Sequence, residues 1–165
     1  MNEPLVTVTS ALVDDLSRRA AATTRRRMNH NLHPTLSDPI QRLLNAFEPG
    51  TYVRPHRHAE PGRWELFVCL RGRAAVLAFD EEAAVTTRTD LDAAGPTLAL
   101  EVAAGVCHTV VSLAAGTVML EVKPGPYVAL TDKDFAPWAP AEGDPAYSAM
   151  VTFFECAVVG NRAAP

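Results

Sequence analysis

The alternation of apolar and polar positions changes character twice along the chain. Residues 10–27 (SALVDDLSRRAAATTRRR) repeat apolar positions at helical spacing, with Ser10 placed as N-cap and acidic residues in the early turns. Arg25, Arg26 and Arg27 close that predicted helix, where positive charge complements its dipole. Asp38 and Pro39 then read as the cap and first position of a second, short helix carrying Ile40, Leu43, Leu44 and Phe47 and stopped by Pro49-Gly50. Beyond Thr51 the period shortens. Arg63 to Leu70, Arg73 to Phe79, Thr97 to Val102, Cys107 to Leu113 and Thr117 to Lys123 are apolar-rich runs separated by turn signals such as Arg71-Gly72, Gly95-Pro96, Ala104-Gly105 and Ala115-Gly116. Many short strands at this spacing predict an antiparallel sandwich or barrel. The proline-rich stretch after Lys123 carries Phe135 and Trp138, expected to pack across the barrel. Asp144-Pro145 then opens a last helix reaching about Val158.

Bulk properties narrow the function classes. A chain of 165 residues, 48% hydrophobic and 21% charged, suits one globular domain with a sizeable core. A formal charge of −4 without a long basic run argues against a nucleic-acid surface. No run reaches the roughly 20 apolar residues of a bilayer span, and the N-terminus lacks a signal-peptide pattern, so no membrane partner is expected. Cys69, Cys107 and Cys156 form an odd, widely spaced set without CxxC, which fits a reducing cytoplasm better than a disulfide framework. The only lysines are Lys123 and Lys133 against many arginines, and alanine is abundant, a texture of GC-rich bacterial coding.

The chemistry concentrates in one pattern. His56, His58 and His108 are three of the five histidines, and Glu65 lies between them in sequence. Residues two apart on a strand share a face, so Tyr52, Arg54, His56 and His58 are expected on one face, Glu65, Phe67 and Cys69 on another, and Val106, His108 and Val110 on a third. Two histidines from one strand, a carboxylate from the next and a later histidine make an N3O donor set suited to one divalent first-row metal, with Fe, Zn, Mn and Ni all open. Burying these groups beside one another without such a partner is costly. Cys107 adjoins His108 and points away from it. Cys69 lies four strand positions from Glu65, about 13 Å, too far to share its ion.

These residues resemble the cupin superfamily. Gly50, His56, His58, Glu65 and Gly72 match its first motif, with a gap before Glu65 that is longer than usual. Gly105 and His108 match the second, where Ala103 replaces the usual proline and Ser112 the usual asparagine. The segments RRRMNHNLHPTLSDPIQRLLNAFEPGTYVRPHRH, RWELFVCLRGRAAVLAFD, AGVCHTVVSL and EVKPGPYVALTDKDFAPWAPAEGD are similar to the WbuC-type cupin-fold metalloproteins, often encoded near bacterial surface-polysaccharide genes. The resemblance implies a mostly β fold, a cupin-type double-stranded β-helix (jelly-roll barrel) with N-terminal helices and a C-terminal helix. As a single domain over 1–165, it would comprise helical decoration at 1–49, the barrel at 50–127 and an extension with a helix at 128–165. It also implies that the segments Asn29 to His33 and Lys123 to Tyr127 belong to the site region.

Around the expected ion, Arg54 and Tyr52 are candidate substrate contacts, Arg54 through a bidentate hold on a carboxylate or phosphate. Tyr52 also reads as barrel core and Arg54 as a rim salt bridge. Asn31 and His33 are candidate sugar-binding residues, and the Glu121–Lys123 pair is a candidate acid–base couple. Trp138 reads as core or as a stacking platform. The expected function is a metal-dependent enzyme of isomerase or epimerase type on a small sugar-like or sugar-acid metabolite. A non-catalytic, metal-dependent module for a small-molecule ligand and an Fe(II) dioxygenase are the alternatives. Apolar strand faces without helical cover allow a homodimer.

Overall fold

The computed structural model describes residues 5–58 and 60–163; the outermost residues of the 1–165 domain reading lie outside them. In chain order the elements are α1 (Ser10–Ala21), β1 (Arg27–Asn31), β2 (Ile40–Phe47), β3 (Glu65–Arg71), β4 (Arg73–Phe79), β5 (Val85–Asp92), β6 (Ala99–Val102), β7 (Cys107–Ser112), β8 (Thr117–Pro124) and α2 (Tyr147–Cys156). One antiparallel sheet has the order β1-β2-β8-β3-β6 and the other β5-β4-β7. The extended segment around His56 takes the fourth place in the second sheet: His56 N–H donates to His108 O at 3.0 Å, and His108 N–H to His56 O at 2.8 Å. The chain therefore crosses repeatedly between the two sheets from β2 to β8, the connectivity of a jelly roll.

Three apolar clusters hold the layers. Phe47, Phe67, Cys69, Val76, Leu91 and Met119 fill the space between the sheets. Val13, Leu16 and Ala20 of α1 seal the outer face of the first sheet over Leu44, Ala46 and Val118. Each such large aliphatic side chain stabilises the fold by about 1.5–3 kcal/mol on burial. On the outer face of the second sheet, Phe154 of α2 and the segment before it cover Tyr52, Leu77, Phe79 and Val111, and Trp138 packs edge-on against Phe79 at 5.1 Å. The Arg88 guanidinium donates to the carbonyls of Phe154, Glu155 and Ala157, satisfying the C-terminal end of α2. Gly72 turns β3 into β4 at φ +74°, and a Cβ there would stand 2.8 Å from Thr117 Cα, so the turn needs glycine.

The N-terminal region departs from expectation. Thr9, not Ser10, caps α1 by accepting Leu12 N–H at 3.2 Å, and the helix ends at Ala21 because Arg27 already belongs to β1. The second predicted helix is strand β2. Its Gln41, Leu43, Asn45 and Phe47 face the interior while Leu44 and Ala46 meet α1. Burial on both faces erases the polar–apolar alternation and leaves apolar residues at spacings that mimic a helix. Asp38 accepts Ile40 N–H at 3.2 Å, a turn contact that its sequence position shares with a helix cap. Among the described residues there is thus one N-terminal helix, not two. Strands β1 and β5, which the apolar runs do not predict, are edge strands of largely polar sequence; in β5 only Val85 and Leu91 are buried.

Candidate metal centre

At one end of the jelly roll the interior opens into a cavity of about 980 Å³. His56 and His58 enter it from the segment paired with β7, Glu65 from the first position of β3, and His108 from β7. His56, His58 and Glu65 present donor atoms that all lie within 4.8 Å of one another. Glu65 Oε2 is 2.8 Å from His108 Nε2, and Oε1 is 3.1 Å from His58 Nε2. Glu65 is 3% exposed and His108 2%, so these are interior groups. Nevertheless Glu65 Oε2, His58 Nε2 and His108 Nε2 have no hydrogen-bond partner of acceptable geometry. Buried polar atoms that converge at contact distance without bonding one another lack a partner at their centre. Meanwhile His56 Nδ1 sits 3.0 Å from Arg54 O and His108 Nδ1 3.0 Å from Val106 O. Nδ1–H donating to a carbonyl leaves each Nε2 lone pair turned inward, the outer-shell arrangement of metal-bound histidines. The donor set therefore fits a divalent transition metal.

Burial and the groups' own mutual contacts set the charges in the cluster. Burial, helped by the neighbouring His108, pushes His56 down to about 3, keeping it neutral. Burial alone would raise Glu65, but His108, His58 and the Lys123 ammonium hold it well below the usual carboxylate range. Burial likewise opposes a proton on His108, but the Glu65 carboxylate outweighs it and the histidine is raised. Lys123 Nζ bridges Glu65 Oε1 at 2.8 Å and Glu121 Oε1 at 2.5 Å. One ammonium facing two carboxylates cannot neutralise both. Glu121, fully enclosed and beside Glu65, is raised, while Lys123 is held cationic against its own desolvation. Asn45 Nδ2 donates to Glu121 Oε2 at 2.5 Å and fixes that carboxyl.

The structure brings His56, His58, Glu65, His108, Glu121, Lys123, Asn31 and His33 to this one cavity. It leaves Tyr52 and Arg54 outside. Tyr52 lies in the cluster under α2 and its hydroxyl donates to Pro140 O at 2.8 Å; Arg54 donates to Ala139 O and stacks its guanidinium over Phe135. Val53 and His56 both line the cavity, so the phase of alternation slips between them. Asn45 and Gln41 also line the cavity and went unnoticed in the sequence, because β2 read as a helix.

A two-sheet jelly roll with a histidine–carboxylate cluster inside one open end has the cupin-type architecture. The chain belongs to the family described as a domain of unknown function, DUF6016, whose model matches residues 8–91. No curated protein matches it. Among solved structures, a conserved protein of unknown function from Streptococcus pyogenes is similar over 78% of this chain and 93% of its own, with TM-score 0.50 and 13% identity. A cupin superfamily protein from Desulfitobacterium hafniense aligns over 66% of this chain and 86% of its own (TM-score 0.49, 21% identity). The oxalate decarboxylase of Bacillus subtilis, studied for its Mn(II) centres, aligns over 67% of this chain and 28% of its own (TM-score 0.48, 17% identity). At 13% identity the likeness to the Streptococcus pyogenes protein is one of fold.

Proposed function

We propose that this protein binds one divalent transition metal through His56, His58, Glu65 and His108 and acts on a small sugar-like or sugar-acid metabolite by isomerase- or epimerase-type chemistry. The observation that carries the reading is the convergence of buried, unpartnered ligand atoms inside an open polar cavity. When bound there, such an ion supplies Lewis acidity to a carbonyl or a pair of hydroxyls. The protein's own groups supply the rest. Glu121, with its raised affinity for a proton and its orientation set by Asn45, takes or returns the proton on the carbon beside the polarised oxygen. Lys123, held cationic between Glu65 and Glu121, balances negative charge that develops on substrate oxygen. The resemblance to WbuC-type proteins supports sugars, and a place in bacterial surface-polysaccharide metabolism, over other polar metabolites. Three free cysteines, two of them buried, accord with a cytoplasmic setting.

The test is incubation of metal-replete protein with a panel of sugars and sugar acids in deuterated water, followed by proton NMR. Metal-dependent exchange at the carbon adjacent to a carbonyl is expected for at least one member. Stoichiometric metal with neither exchange nor saturable binding across the panel overturns the enzymatic reading.

A further inference from the structure

Leu36, Tyr127 and Val128 line the cavity and are 54%, 52% and 54% exposed. They come from two segments, the turn before β2 and the chain just past β8, which hydrogen bonds hold side by side. Tyr127 N–H donates to Leu36 O at 2.7 Å, and Gly125 N–H to Pro39 O at 2.8 Å. The buried Gln41 side chain donates from Nε2 to Leu36 O at 3.3 Å and to Asp38 O at 2.8 Å. Arg63 Nη1 donates to Pro124 O at 3.0 Å and to Pro126 O at 2.9 Å. The backbone of both segments is tied down, yet the apolar side chains it carries are left uncovered. Uncovered apolar side chains gathered at a cavity mark a ligand surface more than a solvent one.

This shelf adjoins the charged end. Tyr127 follows Lys123 by four residues, so at most about 14 Å of extended chain separates it from the ammonium that Glu65 and Glu121 share. One small molecule can reach both. A cavity of about 980 Å³ has room for it, at the top of the roughly 300–1,000 Å³ range of small-molecule pockets. The metal end favours charge and chelation. The side chains of Leu36 and Val128 cannot hydrogen-bond a hydroxyl and gain only by exchanging water for another apolar surface. A bare sugar acid would serve the first end and leave the second wet.

We infer that the ligand of this site is amphipathic, with a chelating sugar-acid head for the metal and an apolar, ring-sized group that lies on Leu36, Tyr127 and Val128. This rests on the metal-site reading above and adds the second half of the substrate. The three shelf residues determine specificity and take no part in the chemistry at the chelated head.

Glucuronate, phenyl β-glucuronide and phenyl β-glucoside are to be titrated calorimetrically into as-purified protein of measured metal content. The glucuronide joins the acid head to an apolar ring, and each of the other two lacks one half. The wild type is expected to bind the glucuronide about five- to tenfold more tightly than glucuronate, and the glucoside most weakly. Tyr127→Ser and Leu36→Ser, which keep the backbone bonds, should each lose most of that advantage, while Tyr127→Phe keeps it. Metal content, glucuronate affinity and circular dichroism should stay level in all three variants. With stoichiometric metal, several results overturn the inference alone: equal wild-type affinity for the glucuronide and glucuronate, binding of none of the three, or a glucoside bound as tightly as the glucuronide. So does an unchanged affinity in both serine variants, or a Tyr127→Phe that loses as much as Tyr127→Ser. A wild-type dimer that both serine variants turn into monomer in sedimentation also overturns it, because a second copy would then occupy the shelf. Absence of metal from the wild type overturns the inference together with the metal reading beneath it.

Discussion

The same strands build two opposite environments, a dry end and a charged end, only a few residues apart. On β8, Met119 is fully buried in the core between the sheets, whereas Glu121 and Lys123 enter the cavity. On β3 the change runs from Cys69 and Phe67 to Glu65, and on β7 from Val110 to His108. At the dry end every interior group is satisfied by packing, and the side chains contribute stability without chemistry. At the charged end the side chains cannot satisfy one another: Lys123 is shared between two carboxylates and three ligand atoms remain without hydrogen bonds. Rigidity at one end holds the ligands at the other in positions where only an added partner completes them.

The largest break in that contrast is His108→Ala. Metal measured by plasma mass spectrometry on untagged protein is expected near one per chain in the wild type and at background in the variant, with far-ultraviolet circular dichroism unchanged. Glu121→Gln should keep full metal occupancy while lowering turnover of a sugar-acid substrate by about 10²–10⁴-fold in steady-state kinetics, the usual weight of a general acid–base group. Met119→Ala makes the complementary cut. Denaturant titration should show a loss of about 2–5 kcal/mol, with metal per folded molecule unaltered.

The smallest expected effect lies outside both ends. Glu142 binds Arg25 at 2.6 Å and Arg27 at 3.0 Å, tying the segment before α2 to β1. Partial burial opposes its charge, yet the two arginines hold its carboxyl below the ordinary value. Glu142 therefore stabilises the fold above the unfolded carboxylate range, and that contribution fades as pH falls through its lowered value. Because the pair is substantially exposed, Glu142→Gln should cost less than about 1 kcal/mol at pH 7, and the cost should shrink as pH falls through the lowered carboxyl value, in parallel denaturant titrations.

The candidate ligands were legible because His56, His58 and Glu65 sit in one short segment bounded by glycines, and His108 follows Gly105 in a second. The barrel strands from β3 onward were legible wherever one face alternates; β5 escaped because it is a polar edge. The N-terminal third was misleading for a local reason. β2 is covered by α1 outside and by the cavity inside, so its pattern carries no clean period, and Asp38-Pro39 marks a turn as readily as a helix start. With β2 hidden, its cavity residues Gln41 and Asn45 were hidden too. Tyr52 and Arg54 illustrate another limit, since the alternation that should have carried them inward slips one place before His56.

Sequence alone determined the donor types, the glycine turns and the need for a mostly antiparallel β fold, because each follows from nearest-neighbour geometry and side-chain chemistry. Only the tertiary structure decided which donors share a space, that Lys123 stands between Glu65 and Glu121, and that His33 faces the same cavity. Those facts depend on the register between strands distant in the chain, and register is set by how both faces of each sheet are buried.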